Sequence, residues 1–183
     1  IYDVDFKLKF VFQIIVAKII IDNGLILDNL HGILGIYDLN SLAAQLLSIF
    51  IIVATINAFN FIDGIDGLAS SIAIVFLICF EFFSTKTTPF FYLSLIVIAG
   101  IIPVIIKNFA NNKKVFLGDS GSLFLGCLIS LYIMYVLSND YLIKDVYDIN
   151  KILFVISIFI YPIVDFSRVI IVRILNKQSP FKA

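Results

Sequence analysis

The sequence has little charge for its length, and this scarcity sets the class of protein. Lysine, arginine, aspartate and glutamate make up 14% of the 183 residues, whereas hydrophobic residues make up 61%. A soluble globular domain carries about 25% charged and about 45–50% apolar residues. The mean hydropathy of +1.09 points the same way. The composition therefore excludes a soluble enzyme, a disordered chain and a nucleic-acid binder with a basic surface, and it indicates a polytopic membrane protein.

Cysteine is equally scarce, and its positions remove two further classes of site. Cys79 and Cys127 both lie inside apolar runs, so we expect neither a disulfide framework nor a paired zinc-ligand spacing. The 13 basic and 13 acidic residues cancel, and the net charge therefore says nothing about partners. The chain starts at Ile1 without a methionine and ends at Ala183 after a polar tail, so we expect an internal piece of a longer protein.

Six apolar runs are long enough, or nearly long enough, to cross a bilayer as helices. A membrane helix needs about 20 mostly apolar residues, with a range of about 17–25. The runs do not alternate between polar and apolar residues, as the strands of a membrane barrel would. They are residues 8–21, 42–56, 68–83, 90–106, 122–137 and 152–172. We therefore predict an all-α fold, a bundle of about six transmembrane helices that forms a single integral membrane domain over residues 1–183.

Basic residues are distributed unevenly between the two sets of loops. Because successive helices alternate in direction, the N-terminal stretch, residues 57–67, residues 107–119 and the C-terminal tail share one side of the membrane. Most of the basic residues lie on that side, namely Lys7, Lys9, Lys107, Lys113, Lys114, Arg173, Lys177 and Lys182, with Arg168 near the end of the last run. The opposite side carries three, Lys86, Lys144 and Lys151, together with Asp28, Asp38, Asp140, Asp145 and Asp148. Basic residues in short loops mark the cytoplasmic side. We therefore predict that the polar motifs in these loops face the cytoplasm.

The strongest local signal is a row of amide and carboxylate side chains at every third position. The row consists of Asn57, Asn60, Asp63 and Asp66. On an α-helix it would drift by about 60° per step, so a 3₁₀ turn or a helix break is needed to keep the row together. A polar loop with two Asp-Gly turns is the alternative. Two phased asparagines ahead of two Asp-Gly pairs favour a functional site.

The second signal is a glycine-rich segment that opens the fifth apolar run. A segment of this kind at a helix N-terminus offers amide donors to a phosphate, and the Asp119 carboxylate is a suitable ligand for Mg²⁺. The alternative is a helix cap formed by Asp119, Ser120 or Ser122. The sequence Gly-Asp-Ser-Gly is also typical of chymotrypsin-like proteases. We reject a protease because the single histidine, His31, falls on the opposite side of the membrane.

Two weaker groups remain open between structure and function. Asn108 lies just past a helix end, where it is a candidate C-cap, and the adjacent Lys113 and Lys114 are typical of a topology signal. Asp165 lies in an apolar run, where an acidic residue indicates a functional site by default. An ion pair with Arg168, three residues further on, is an equal alternative.

Taken together, these motifs resemble those of the polyprenyl-phosphate N-acetylhexosamine-1-phosphate transferases, in glycosyltransferase family 4. The resemblance covers nearly the whole chain. Residues 29–37 resemble the branch that uses N-acetylglucosamine more than the phospho-N-acetylmuramoyl-pentapeptide branch. The residues that carry the resemblance, in matching order, are 57–69, 115–122, Asp165, Arg173 and Ser179-Pro180-Phe181.

The resemblance implies an activity and a set of site residues. The reaction is Mg²⁺-dependent transfer of N-acetylhexosamine 1-phosphate, most closely N-acetylglucosamine 1-phosphate, from a UDP-sugar to undecaprenyl or another polyprenyl phosphate, with release of UMP. The alternatives are phospho-N-acetylmuramoyl-pentapeptide transferase and, more distantly, a membrane transporter. Asp119 and Asn60 are the expected metal ligands. The expected catalytic residues are Asp63, Asp66 and Asp119, and the expected substrate-binding residues are Asn57, Asn60, Asn108, Gly118 and Ser120.

The resemblance also implies a location and partners. We expect a multi-pass protein of the bacterial inner membrane with a cytoplasmic active site, acting at the first step of cell-envelope polysaccharide synthesis. Its partners would be a UDP-N-acetylhexosamine, a polyprenyl phosphate carrier and membrane lipids. We expect no nucleic-acid partner, and the resemblance leaves open whether the protein forms a homodimer. The family's N-terminal helices, an Asp-Asp pair before the Ile1-Tyr2-Asp3 stretch and a His-rich segment after Phe181 are expected to lie outside these 183 residues.

Overall fold

A computed structural model describes residues 6–110, 114–138, 141–144, 146 and 150–176. Within these ranges the chain forms helices joined by short loops, and no β-strand beyond two isolated bridges occurs in them. The all-α prediction is confirmed, and each of the six apolar runs corresponds to one helix. The helices are α1 (Phe6–Asp22), α2 (Ser41–Ile62), α3 (Leu68–Phe83), α4 (Phe91–Asn108), α5 (Gly118–Leu137) and α6 (Lys151–Leu175).

Four of the helices are long and apolar enough to cross a membrane, namely α2, α4, α5 and α6. The other two are shorter, with 17 residues in α1 and 16 in α3. At about 1.5 Å per residue, these two helices extend about 24–26 Å, slightly less than the hydrocarbon core of a typical bilayer. The chain is therefore a multi-pass membrane protein. Asn40 and Asn150 begin α2 and α6 with side-chain caps on the first-turn amides.

The antiparallel pair α2 and α5 forms the centre of the bundle. Gly126 of α5 lies against the backbone of Ile56 in α2, and a Cβ atom at this glycine would stand 2.9 Å from the Ile56 Cα. The small residue lets two apolar helices approach closely, as is common in membrane bundles. α1 and α6 pack on α2, α3 packs on α5, and α4 packs on α3. The two helices run in opposite directions, so the end of α2 lies beside the beginning of α5.

The end of the bundle opposite to this meeting point carries a short hairpin between α1 and α2. Asn29 and Asp38 form an isolated antiparallel bridge, and a 3₁₀ turn at Ile33–Gly35 lies between them. Also at this end, Glu81 accepts hydrogen bonds from Thr88 and Ser94 over 2.8 and 3.0 Å. The predicted separation of this end from the polar motifs is confirmed.

Two helix boundaries differ from the sequence prediction more than the others do. The sequence predicts a loop over residues 57–67, but α2 continues to Ile62. It also predicts that α5 begins near residue 122, but α5 begins at Gly118, so Asp119 and Ser120 lie in its first turn. Both helices extend past their apolar stretches because the polar side chains of these turns find partners on neighbouring helices.

Candidate functional site

The last two turns of α2 direct their amide side chains to different neighbours. Because α2 stays α-helical to Ile62, Asn57 and Asn60 are rotated by about 60° relative to each other. The Asn57 amide contacts Gln13 of α1, and the Asn60 amide contacts α5. The 3₁₀ turn or helix break suggested by the spacing is therefore wrong for these two positions. The polar row is divided between two helix interfaces.

Asn60 connects α2 to the glycine-rich segment. Its Nδ2 donates to the Ser122 Oγ over 3.0 Å and to the Asp119 Oδ1 over 3.3 Å. Ser122 is fully buried, whereas Asp119 is exposed to solvent. Neither Asp119 nor Ser122 caps α5, because the capping position is Leu117 and it receives no side-chain cap. The helix-cap alternative is therefore wrong for α5.

Asp63 is the C-cap residue of α2 and lies next to the beginning of α5. It accepts a hydrogen bond from the backbone amide of Gly118, and it lies near the Asp119 carboxylate. Gly118 adopts a positive φ of 64°, in the region that favours glycine, and this conformation sets the direction of its amide. Burial raises the pKa of Asp63 to about 6, the Asp119 charge adds to this rise, and the Gly118 hydrogen bond opposes it.

Asn60, Asp63 and Asp119 form a polar cluster, and Lys9 belongs to it as well. The sequence analysis takes Lys9 only as a topology signal. Its Nζ donates to the Asp119 Oδ2 over 2.6 Å, from one turn inside the N-terminus of α1. Its side chain is 28% exposed, compared with 62% for Asp119. A lysine in an apolar run is the signal that indicates such a role, because a charge in a membrane helix usually has a functional partner.

Asp66 lies in the turn that follows and pairs with the loop before α5. Its carboxylate forms an ion pair with Lys114. The adjacent Gly67 has a φ of 70°, and a Cβ atom there would stand 2.6 Å from the Phe109 ring. These contacts bring the two loops together, as the predicted topology requires. Lys113, the other lysine of the predicted topology signal, lies outside the described residues.

Asn108 contacts its own loop rather than the acidic cluster. It is the last residue of α4, whose capping residue is Phe109, so the C-cap alternative is wrong. Asn108 is buried, and its Nδ2 donates to the Val115 carbonyl over 2.9 Å. Its Oδ1 is buried without a hydrogen-bond partner among the described residues.

The acidic residue of α6 forms an ion pair within its own helix. The Arg168 guanidinium donates to the Asp165 Oδ1 over 2.7 Å, which confirms the ion-pair alternative. Arg173 lies over the Phe61 ring at 5.5 Å, a cation–π contact that joins α6 to the last turn of α2. Ser179, Pro180 and Phe181 lie outside the described residues, as does Asp3.

The donor set of the cluster suits a hard divalent cation. No group of three or more histidine, cysteine, aspartate or glutamate side chains able to hold a metal occurs in the described part of the chain. The Asp63 and Asp119 carboxylates nevertheless repel each other at short range, and the Asn60 amide contacts Asp119. Mg²⁺ is commonly bound by one or two carboxylates together with waters and substrate phosphates. The residues present therefore fit Mg²⁺, and the exposed first turn of α5 leaves room for an anionic substrate.

Comparison with known proteins places these motifs in a family context. Residues 1–137 match the family model described as glycosyl transferase family 4. A probable undecaprenyl-phosphate N-acetylglucosaminyl 1-phosphate transferase of Bacillus subtilis is 38% identical over 97% of the chain and 48% of its own length. A decaprenyl-phosphate N-acetylglucosaminephosphotransferase of Mycobacterium leprae is 26% identical over 98% of the chain and 50% of its own length.

A phospho-N-acetylmuramoyl-pentapeptide-transferase of Carboxydothermus hydrogenoformans is 30% identical over 62% of the chain and 36% of its own length. No solved structure matches. The chain thus spans about half the length of the N-acetylglucosamine-type relatives.

Proposed function

The chain belongs to glycosyl transferase family 4, and we propose that its protein transfers N-acetylglucosamine 1-phosphate from UDP-N-acetylglucosamine to a polyprenyl phosphate. Undecaprenyl phosphate is the proposed acceptor, UMP is the second product, and the reaction would begin the synthesis of a cell-envelope polysaccharide. One observation carries the proposal: two motifs, separated by more than 50 residues, meet through Asn60 and Asp119 at one end of an apolar bundle. A lipid acceptor requires a polar site of this kind at a membrane surface.

The identity of the sugar is supported by the extent of the matches. The two relatives whose names specify N-acetylglucosamine match 97% and 98% of the chain, whereas the muramoyl-pentapeptide relative named above matches 62%. A transporter is disfavoured because transport sites lie near the bilayer midplane, and this cluster lies at the ends of α2 and α5.

Asp119 and Asn60 are the residues that we propose to hold Mg²⁺, with Asp63 completing the anionic side of the site. When bound, Mg²⁺ screens the phosphate charges and stabilises the charge that develops on the departing UMP. Asp119 is exposed and projects from the first turn of α5, so it can approach a substrate phosphate together with the cation. Lys9 neutralises part of the same negative charge.

The first turn of α5 supplies the proposed phosphate contacts. The amides of a helix N-terminus lack intrahelical partners and favour anions. Gly118 directs its own amide to Asp63, so the exposed Ser120 and the amides of the following residues remain for the substrate. We assign Asp63 and Asp66 to the nucleotide-sugar side, because they follow α2 in the turn that borders the loop of Lys114. Asn108 would act indirectly, by shaping that loop.

The proposed location is the bacterial inner membrane, with the Asn60–Asp119 end of the bundle in the cytoplasm. The excess of basic residues at this end supports that orientation. UDP-sugars are cytoplasmic metabolites, and the lipid phosphate reaches the same surface from within the bilayer.

An assay of the full-length protein tests the proposed function. Purified protein is incubated with undecaprenyl phosphate, Mg²⁺ and, in separate reactions, UDP-N-acetylglucosamine, UDP-N-acetylgalactosamine or UDP-N-acetylmuramoyl-pentapeptide, and UMP is measured. We expect UMP release with UDP-N-acetylglucosamine, its loss with EDTA and its recovery when Mg²⁺ is added in excess. Release with only the muramoyl-pentapeptide donor, or no release with any donor, would contradict the proposal.

A further inference from the structure

Gln13 is a buried polar residue in a helix that is otherwise largely exposed on its apolar faces. It is 8% exposed, whereas its neighbours Phe12 and Ile14 are 58% and 37% exposed. A buried amide in an apolar environment costs free energy unless its donors and acceptors are paired. Gln13 satisfies this requirement across the interface between α1 and α2.

Gln13 and Asn57 form a reciprocal amide pair. The Asn57 Nδ2 donates to the Gln13 Oε1 over 2.9 Å, and the Gln13 Nε2 donates to the Asn57 Oδ1 over 3.3 Å. The Asn57 Nδ2 also donates to the Val53 carbonyl over 2.8 Å, which orients the amide along α2. Asn57 is thus occupied by contacts within the protein, and not by groups that face the Asn60–Asp119 cluster.

The amide pair lies one helical turn deeper in the bundle than the cluster itself. Lys9 precedes Gln13 by four residues and therefore lies on the same face of α1. Asn60 follows Asn57 by three residues, one turn closer to the end of α2. A slip of α1 by a single residue would move Gln13 by about 1.5 Å and rotate it by about 100°, which breaks both hydrogen bonds. The pair therefore defines one register of α1 on α2.

From this juxtaposition we infer that Gln13 and Asn57 are positioning residues. Their amide pair holds α1 in the register that brings the Lys9 ammonium to the Asp119 carboxylate. The inference rests on the proposed function only for its effect on catalysis, because the register itself is a structural property. The family resemblance implies substrate binding for Asn57, and its contacts with Gln13 and the Val53 carbonyl support a role in positioning α1.

The first test measures activity in the full-length protein. Gln13→Leu removes the amide and keeps the bulk, and Gln13→Asn is a milder variant that shortens the side chain. We expect both to reduce kcat for UMP release by on the order of tenfold or more, because a displacement of about 1 Å can cost up to about 100-fold. The exchange Gln13→Asn with Asn57→Gln keeps the summed side-chain length and both amides, and we expect it to recover most of kcat.

A double-mutant cycle separates positioning from general stability. If Gln13 acts through Lys9, then Gln13→Leu has little further effect on kcat when Lys9→Met is already present. Ser130→Ala is the control for the loss of a buried hydroxyl, because Ser130 is fully buried and its hydroxyl donates within α5, to the Cys127 carbonyl. We expect normal kcat in this variant. Additive effects of Gln13→Leu and Lys9→Met, or normal kcat in Gln13→Asn, would overturn the inference.

A second readout does not depend on the proposed reaction. In a background with Cys79→Ala and Cys127→Ala, the pair Lys9→Cys and Asp119→Cys is cross-linked with a short bis-maleimide. We expect efficient cross-linking with Gln13 present and a severalfold loss with Gln13→Asn. Equal cross-linking in both would overturn the inference. A wild-type protein that releases no UMP but shows this dependence would contradict the proposed function alone.

Discussion

Asp119 is the residue on which the proposed reaction depends most directly. It is exposed, it lies in the first turn of α5, and its two oxygens contact Lys9 and Asn60. Asp119→Asn keeps the shape but removes the charge that a hard cation prefers. We expect turnover to fall by on the order of 100-fold or more, the scale of losing one key electrostatic contact.

The melting temperature of Asp119→Asn should change little, because Asp119 does not cap α5 and its ion pair with Lys9 is open to solvent on the Asp119 side. Asp22→Asn is the matched control: Asp22 is also exposed and also pairs with a lysine, Lys18, but at the opposite end of α1. Turnover of both variants is measured at saturating UDP-sugar and Mg²⁺. Near-normal turnover in Asp119→Asn would remove Asp119 from the proposed metal site.

The raised pKa of Asp63 predicts that the folding stability of the protein depends on pH. Its pKa rises from 3.8 to about 6 on folding, so the folded protein holds this proton more tightly than the unfolded chain. Stability therefore falls as the pH rises from about 4 to about 6, and it remains lower above that range. Asp63→Asn removes the charge and its penalty. We expect this variant to gain more in melting temperature over wild type at pH 7.5 than at pH 4.5.

The measurement is a thermal melt in detergent with EDTA, so that no divalent cation offsets the Asp63 charge. The exposed Asp28, in the hairpin at the other end of the bundle, supplies the control Asp28→Asn. An equal gain for Asp63→Asn at both pH values would contradict the prediction. In the wild type, added Mg²⁺ at pH 7.5 should raise the melting temperature by more than it does in Asp63→Asn.

At the scale of helices, the close contact between α2 and α5 sets the geometry of the site. A Cβ atom at Gly126 would stand 2.9 Å from the Ile56 Cα and 3.1 Å from the Phe59 Cβ. Gly126→Ala must therefore separate two backbones, which we expect to cost about 1–3 kcal/mol. Because Asn60 reaches Asp119 across the same interface, the activity of the folded fraction should fall as well.

Gly100→Ala is the control for this prediction. Gly100 lies inside α4, and a Cβ atom there would meet nothing within 4 Å. Alanine is favoured over glycine in a helix by up to about 1 kcal/mol, so this variant should be neutral or more stable. Equal melting temperatures for the two alanine variants would show that α2 and α5 tolerate a wider separation.

At the scale of the whole molecule, the two ends of the bundle should face different compartments. Leu34, at the tip of the hairpin, is 92% exposed, and Gly64 is exposed in the turn beside Asp63. In a background without Cys79 and Cys127, an impermeant thiol reagent should label Leu34→Cys in intact cells. It should label Gly64→Cys only after the membrane is opened. The reverse pattern would place the candidate site away from the proposed nucleotide substrate.

The fold was predictable from the sequence to within a few residues for most helix ends. In lipid, a spanning segment must satisfy its own backbone hydrogen bonds, so an apolar run of sufficient length becomes a helix. The largest errors concern the end of α2 and the beginning of α5. There, polar side chains continue the helices because Asn60, Asp119 and Ser122 bond to one another across the interface.

The candidate site was predictable only in part. Asn60, Asp63 and Asp119 come from motifs that the sequence presents openly, and the structure brings these three together. The partners of Lys9 and Gln13 were not predictable, because they lie 110 and 44 residues away in the chain. Spacing along the sequence carries no information about which face of α1 meets α2.

The residues alone were enough to predict the helical class, the number of helices, and the end of the bundle at which the polar motifs gather. These properties follow from hydropathy and from the alternation of helices, which are local or cumulative along the chain. Helix packing was needed to show which neighbour each amide contacts: Asn57 contacts Gln13 of α1, whereas Asn60 contacts Asp119. Side-chain partners depend on the rotation and register of packed helices, and a single-residue slip of about 1.5 Å and 100° would break these contacts.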